Sequence, residues 1–119
     1  MSYFGPNGTP LDDDDDEEEW ERDARITGLV DNHESIIDEV RGELRRSIEK
    51  FGVQNHDPMT WLAILGEEYG EACQAAVQAA HEPGKHTWSD HRKELIQTAC
   101  VAIKSVEAYD RAQNKEGKS

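Results

Sequence analysis

The sequence predicts an all-α fold, a helical bundle completed by dimerisation, and three observations carry that expectation. Apolar residues recur at helical spacing in three segments, each segment is bounded by capping or stop signals, and neither strand alternation nor an internal repeat is present. At 119 residues the chain has room for one core. With 35% hydrophobic and 33% charged residues that core is thin for a monomer, which favours association with a second copy.

The leader comes first. Eight consecutive acids, Asp12 to Glu19, follow a stretch punctuated by Gly5, Pro6, Gly8 and Pro10, a composition that buries too little apolar surface to order itself. A short helix from Trp20 to Thr27, stopped by Gly28, is the most structure expected here. Residues 1–31 are thus expected to be a disordered or weakly ordered acidic leader, 32–114 a helical domain, and 115–119 a flexible tail.

From His33 to about Lys50, Ile36, Ile37, Val40, Leu44 and Ile48 form one face of an amphipathic helix ended by Phe51-Gly52. Asp57-Pro58, an N-cap acid before a proline suited to the first helical turn, opens a second helix reaching Ala80 or His81. Its expected core stripe is Leu62, Leu65, Tyr69, Ala72, Cys73, Ala76 and Ala80, and Pro83-Gly84 stops it. A third helix starts near Thr87, with Thr87 and Asp90 as a capping pair, and runs to about Gln113. Between Leu95 and Val106 it is apolar almost all round, so Val101, Ile103 and Val106 are expected to pack against a second subunit. Cys73 and Cys100 lie inside these apolar patterns and read as buried thiols, not a disulfide.

The formal net charge is −13, and eight of the 26 acids form the run Asp12 to Glu19, so the rest of the chain is only mildly acidic. Such a field repels phosphate backbones, which argues against direct nucleic-acid binding. No apolar run suits a membrane span, and Met1 to Pro10 lacks the regions of a signal peptide. The expected location is cytoplasmic.

The chemistry concentrates on two helices. Glu67, Glu68 and Glu71 interrupt an apolar stretch of the second helix, with Glu68 and Glu71 three apart on one side. Glu94 and Gln97 repeat that spacing on the third. Two such helices packed antiparallel gather carboxylates and an amide, an oxygen-only set suited to Mg²⁺ or Mn²⁺. The same acids, read without a partner helix, are a solvated face.

Glu67-Glu68-Tyr69-Gly70-Glu71 followed by Lys93-Glu94-Leu95-Ile96-Gln97 resembles the paired E-x-x-E and K-E-x-x-D motifs of the MazG-like all-α nucleoside triphosphate pyrophosphohydrolases. Lys50-Phe51-Gly52-Val53-Gln54-Asn55-His56 ahead of Trp61-Leu62 is similar to the K-W-G-x-Q-x-H and W-L segments of short phage and bacterial members. The resemblance spans about Ile36 to Arg111. It implies a Mg²⁺-dependent enzyme that hydrolyses a nucleoside triphosphate at the α-phosphorus to a monophosphate and pyrophosphate, working as a homodimer or dimer of dimers. It makes Glu68, Glu71, Glu94 and Gln97 metal ligands, Glu67 a further ligand or water-orienting base, and Lys93, His56, Trp61 and Gln54 substrate contacts. Gln97 departs from the family's usual Asp, and Arg46-Ser47 stands where many relatives have Arg-Gln. A non-enzymatic helical interaction protein, inactive through Gln97 or acting as a decoy through the acid run, is the rival expectation. His81, His86 and His91, five apart and interrupted by Pro83-Gly84, lack the spacing of a zinc site.

Overall fold

The computed structural model describes residues 17–117, and every element among them is helical. The chain divides into two compact units, Met1–Glu34 and Ser35–Ser119. No helix among the described residues is long and apolar enough to cross a membrane.

In the first unit, α1 (Glu19–Asp31) is longer than the expected Trp20–Thr27 helix. Gly28 does not stop it: the helix runs on through Gly28, and the Asn32 amide closes the last turn on the Gly28 carbonyl at 3.1 Å. Helical order therefore extends into what was expected to be a weakly ordered leader. Arg25 grips the Glu17 carboxylate from its Nε and Nη2, both at 3.0 Å, and His33 Nδ1 meets the Val30 carbonyl at 2.8 Å. Asp12 to Asp16 lie outside the described residues.

The second unit is built from α2 (Glu34–Phe51), α3 (Pro58–His81) and α4 (Trp88–Gly117). Gly52 follows α2 with φ of 72° and donates its amide to the Ile48 carbonyl at 2.8 Å, the left-handed stop that glycine tolerates best. Asp57 caps α3 by accepting from the Thr60 amide at 2.9 Å, with Pro58 in the first turn. Thr87 and Asp90 form a reciprocal capping box at the start of α4: the Thr87 amide donates to Asp90 at 2.9 Å, and the Asp90 amide to Thr87 Oγ1 at 3.2 Å. α4 then continues past the expected end at Gln113 to Gly117, and residues 118–119 of the expected tail lie outside the described residues.

The core is the α3–α4 seam. Trp61, Ala72, Ala75 and Ala79 of α3 and Cys100, Val101 and Ala108 of α4 are buried. Their spacing on α3 is the heptad-like alternation of three and four that antiparallel helices need. This corrects the expected α3 stripe in part: Ala72 is buried and Leu65 packs against the core, as expected. Leu62, Tyr69, Cys73 and Ala80 are exposed, because the arc centred on Trp61 and Ala72 meets α4 instead. Cys73 is therefore an exposed thiol, and Val101 is buried within its own chain, not held out for a second subunit. Ile103 and Val106 do remain exposed. On α2 the expected apolar face is largely outside: Val40 is buried, whereas Ile36, Ile37 and Ile48 are exposed.

Candidate functional site

α3 and α4 bring Glu68, Glu71 and Glu94 together, one oxygen of each lying within 4.8 Å of the others. Glu68 and Glu71 are one turn apart on the edge of the buried α3 arc, and Glu94 faces them from the first third of α4. Crowding has the expected electrostatic consequence. The Glu94 carboxyl is pushed above the usual range by partial burial, then by a hydrogen bond and charge from Glu71 and by the Glu68 charge. Glu68 is raised too, by burial and by the charges of Glu71 and Glu67, with the Lys104 ammonium opposing them. Three carboxyls that resist joint ionisation are a donor set a hard divalent cation fits, since it neutralises their repulsion and takes oxygen ligands. Glu67, one residue earlier, is exposed and stands outside this trio.

Gln97 is placed differently from the expectation. Its Nε2 donates to Glu43 Oε2 of α2 at 2.6 Å, a charge-assisted bond that commits the amide nitrogen to α2. Glu43 also pairs with Arg46 one turn on.

Beside the trio lies a cavity of about 360 Å³ between α2 and the α3–α4 pair. Glu68 is in its wall, so the acid cluster and the cavity share a residue. The wall also carries the cations Arg46, Lys50 and Lys104 and the rings of Phe51 and Trp61, beside a second acid, Glu43, the polar Ser47, Gln54 and Gln97, and the apolar Ile64 and Val101. Lys104 reaches Ser47 Oγ at 2.7 Å and sits 5.8 Å from the Trp61 ring, and Lys50 sits 5.0 Å from Phe51. Neither lysine has a carboxylate within ion-pair distance among the described residues. The buried Trp61 indole Nε1 has no hydrogen-bond partner among the described residues.

Of the substrate contacts the resemblance implies, Gln54 and Trp61 line this cavity. His56 packs edge-on to Trp61, with centroids 4.9 Å apart, and faces a second, more apolar hollow with Pro58, Leu65 and Tyr109. Lys93 lines a neighbouring hollow beside Arg92 and Glu39, not the cavity that contains Glu68. Sequence reasoning missed Glu43 and the place of Lys50 in the wall. Glu43, Arg46, Ser47 and Lys50 recur at three, four and seven residues, so their common face on α2 was readable from spacing. His81, His86 and His91 form no metal cluster among the described residues, and His91 Nδ1 instead meets the Ala72 carbonyl at 2.8 Å.

No family profile matches this chain, and neither a characterised protein nor a solved structure is detectably similar to it.

Proposed function

We propose that this protein is a divalent-cation-dependent nucleotide pyrophosphohydrolase of the MazG-like type, converting a (d)NTP or related nucleotide to its monophosphate and pyrophosphate. One observation carries the reading: Glu68 belongs both to the carboxylate trio and to the wall of the cationic, aromatic cavity. A ligand with a flat base and an anionic tail, seated there, has its phosphates between basic side chains and the acids.

The protein's own groups divide the work. Trp61 and Phe51 offer ring faces, and Gln54 offers amide hydrogen bonds to a base edge. Arg46, Lys50 and Lys104 balance phosphate charge; Arg46 and Lys104 already have partners in Glu43 and Ser47 and would exchange or share them. Mg²⁺ or Mn²⁺, held by Glu68, Glu71 and Glu94, would supply neutralisation of the phosphates and an acidified water. Without it the trio repels a polyphosphate.

The decisive experiment incubates the full chain with Mg²⁺ and a panel of NTPs, dNTPs and modified nucleotides. Pyrophosphate release that disappears in Glu68→Ala supports the reading, and no release from any nucleotide overturns it. The rival, an inactive helical interaction protein, has its own supporting observation: Gln97 brings no charge and its nitrogen is tied to Glu43. That reading gains if the wild-type chain binds Mg²⁺-nucleotide but releases nothing.

A further inference from the structure

We propose that the hollow between the start of α3 and the C-terminal half of α4 is a separate binding site for a small planar aromatic anion, its ring held beside Trp61 and Tyr109 and its single anionic group by Arg111 and Lys115. This inference does not depend on the hydrolase reading.

The hollow follows from a difference in helix length. Trp61 near the start of α3 packs in one cluster with Val101 and Ala108 of α4, so α4 overhangs Pro58 by roughly 15 Å at 1.5 Å per residue. The 52–57 connection crosses that overhang, and Arg111 ties it down: Nε donates to Asn55 Oδ1 at 2.9 Å and Nη2 to the Gln54 carbonyl at 3.2 Å. On the face of α4 beneath it stand Ala108 and Ala112, four apart and too small to fill the space. What remains is a hollow of about 520 Å³ walled by Trp61, Leu62, Leu65 and Tyr109, a volume suited to a small molecule. It shares only Trp61 with the cavity that contains Glu68.

The class of ligand follows from what adjoins the apolar walls. A second hollow of about 410 Å³ is continuous with the first through Asn55, His56, Ala108 and Ala112, and it contains Arg111 and Lys115, one turn apart on α4. Neither cation has a carboxylate within ion-pair distance among the described residues, although the chain carries 26 acids to 13 bases. The acceptors that Arg111 does use, at Asn55 and Gln54, are neutral amide oxygens, so its charge stays uncompensated. Asp57 lines the apolar hollow and not the cationic one, and its carboxylate is engaged by the Thr60 amide and hydroxyl at 2.9 and 3.1 Å. Ring faces and unpaired cations side by side suit a flat apolar body that ends in a carboxylate, sulfonate or phosphate, which a guanidinium receives through paired N–H donors. A nucleoside triphosphate fits poorly, because two cations cannot balance its charge and the carboxylate trio lies elsewhere.

Fluorescence titration of the full chain with two dyes tests the site: anilinonaphthalene sulfonate, a planar aromatic anion, and the uncharged phenylnaphthylamine of similar shape. Both should saturate, the anion more tightly and with an affinity that falls as salt rises. Arg111→Gln/Lys115→Gln should weaken the anion about tenfold or more and leave the neutral dye unchanged. Because Arg111 also holds the 52–57 connection, Lys115→Glu repeats the test at a side chain that makes no such tie, and the same split between the dyes is expected. Ala112→Trp, at an exposed position on the lip, should exclude both dyes while helix content and melting point hold. Lys50→Gln, in the wall of the other cavity, should change neither. The proposal is overturned if neither dye saturates on the wild-type chain, if Lys115→Glu weakens both dyes equally or neither, or if the anion still binds Ala112→Trp as before. Loss of the anion in Lys50→Gln places it in the cavity with Glu68 and overturns the proposal equally.

Discussion

The two seams of the helical domain are made of opposite materials. α3 meets α4 through Trp61, three alanines, Cys100, Val101 and Ala108, small side chains around one large one, with His91 Nδ1 on the Ala72 carbonyl at 2.8 Å beside them. α2 meets α4 through polar links: Arg92 to Glu39 at 2.6 and 2.8 Å, Gln97 to Glu43 at 2.6 Å, and Lys104 to Ser47 at 2.7 Å. The first seam removes apolar surface from water and holds the fold. The second exchanges water contacts for protein contacts with a small net gain and leaves a cavity where ligand and cation chemistry is possible. A charged site of this kind needs a seam that is incompletely sealed.

The sharpest way to test that contrast is to damage the apolar seam. Trp61→Ala removes the largest buried side chain and should cost about 3–5 kcal/mol, read from the denaturant midpoint at fixed protein concentration. Trp61→Phe keeps most of the burial and deletes an indole N–H that has no partner among the described residues, so it should cost distinctly less. If the two variants melt alike, Trp61 is not anchoring the seam.

The acid trio gives the next largest effect, and its sign is opposite to that of an ordinary ion pair. Glu68 and Glu94 have folded-state carboxyls raised above their unfolded values, so the folded chain binds more protons through that window. Stability without cation should fall as pH rises from about 4, the ordinary Glu range, through the raised values, and then level off. Glu94→Gln should flatten that decline. Mg²⁺ or Mn²⁺ at a hundredfold excess over Kd should restore about 2.7 kcal/mol by linkage, and thermal melts with and without cation measure it. A decline that survives in Glu94→Gln unchanged would place its origin elsewhere.

How far the sequence led depends on what kind of information each feature needs. The starts of α3 and α4 were readable because Asp57-Pro58 and Thr87/Asp90 act within one turn. Glu68, Glu71 and Glu94 were readable because helical spacing and a facing helix suffice to gather them. The buried arc of α3 was not, since that helix carries two apolar arcs about one residue apart and periodicity cannot say which one α4 covers. The expected Leu62 and Tyr69 are outside for this reason, and Trp61 and Ala75 are inside. On α2, Ile36 and Ile48 misled in the same way, because the face turned inward carries Glu43 and Ser47 beside Val40. The partner of Gln97 lies 54 residues away, beyond any local signal.

Gln97 sharpens the polar side of the comparison. Gln97→Asp removes the donor to Glu43 and sets a second carboxylate near it, so it should cost about 1–3 kcal/mol without cation. Adding Glu43→Gln restores a donor and acceptor pair and should recover much of that loss, a coupling that a double-mutant cycle reads directly. If Mg²⁺ raises the melting point of Gln97→Asp more than that of Gln97→Ala, position 97 also faces the cation. Equal responses confine Gln97 to bracing α2.

The smallest effect belongs to Arg92 and Glu39, although their forked geometry is the most regular contact between α2 and α4. Both side chains are about half exposed, so water competes for the pair and salt screens it. The Arg92 hydrogen bonds hold the Glu39 carboxyl below its usual range, which makes the contribution present at neutral pH. It is lost as pH falls through that lowered value. Arg92→Ala should therefore lower the melting point slightly at low ionic strength and neutral pH, with the difference closing in molar salt and in acid. Measured against Trp61→Ala at matched concentration, that pair of closures separates the two seams: the apolar one should not be weakened by salt, and the polar one should. A loss in Arg92→Ala that persists in molar salt would mean the arginine stem packs α2 in place, and the α2 seam would then owe more to apolar contact than its ion pairs indicate.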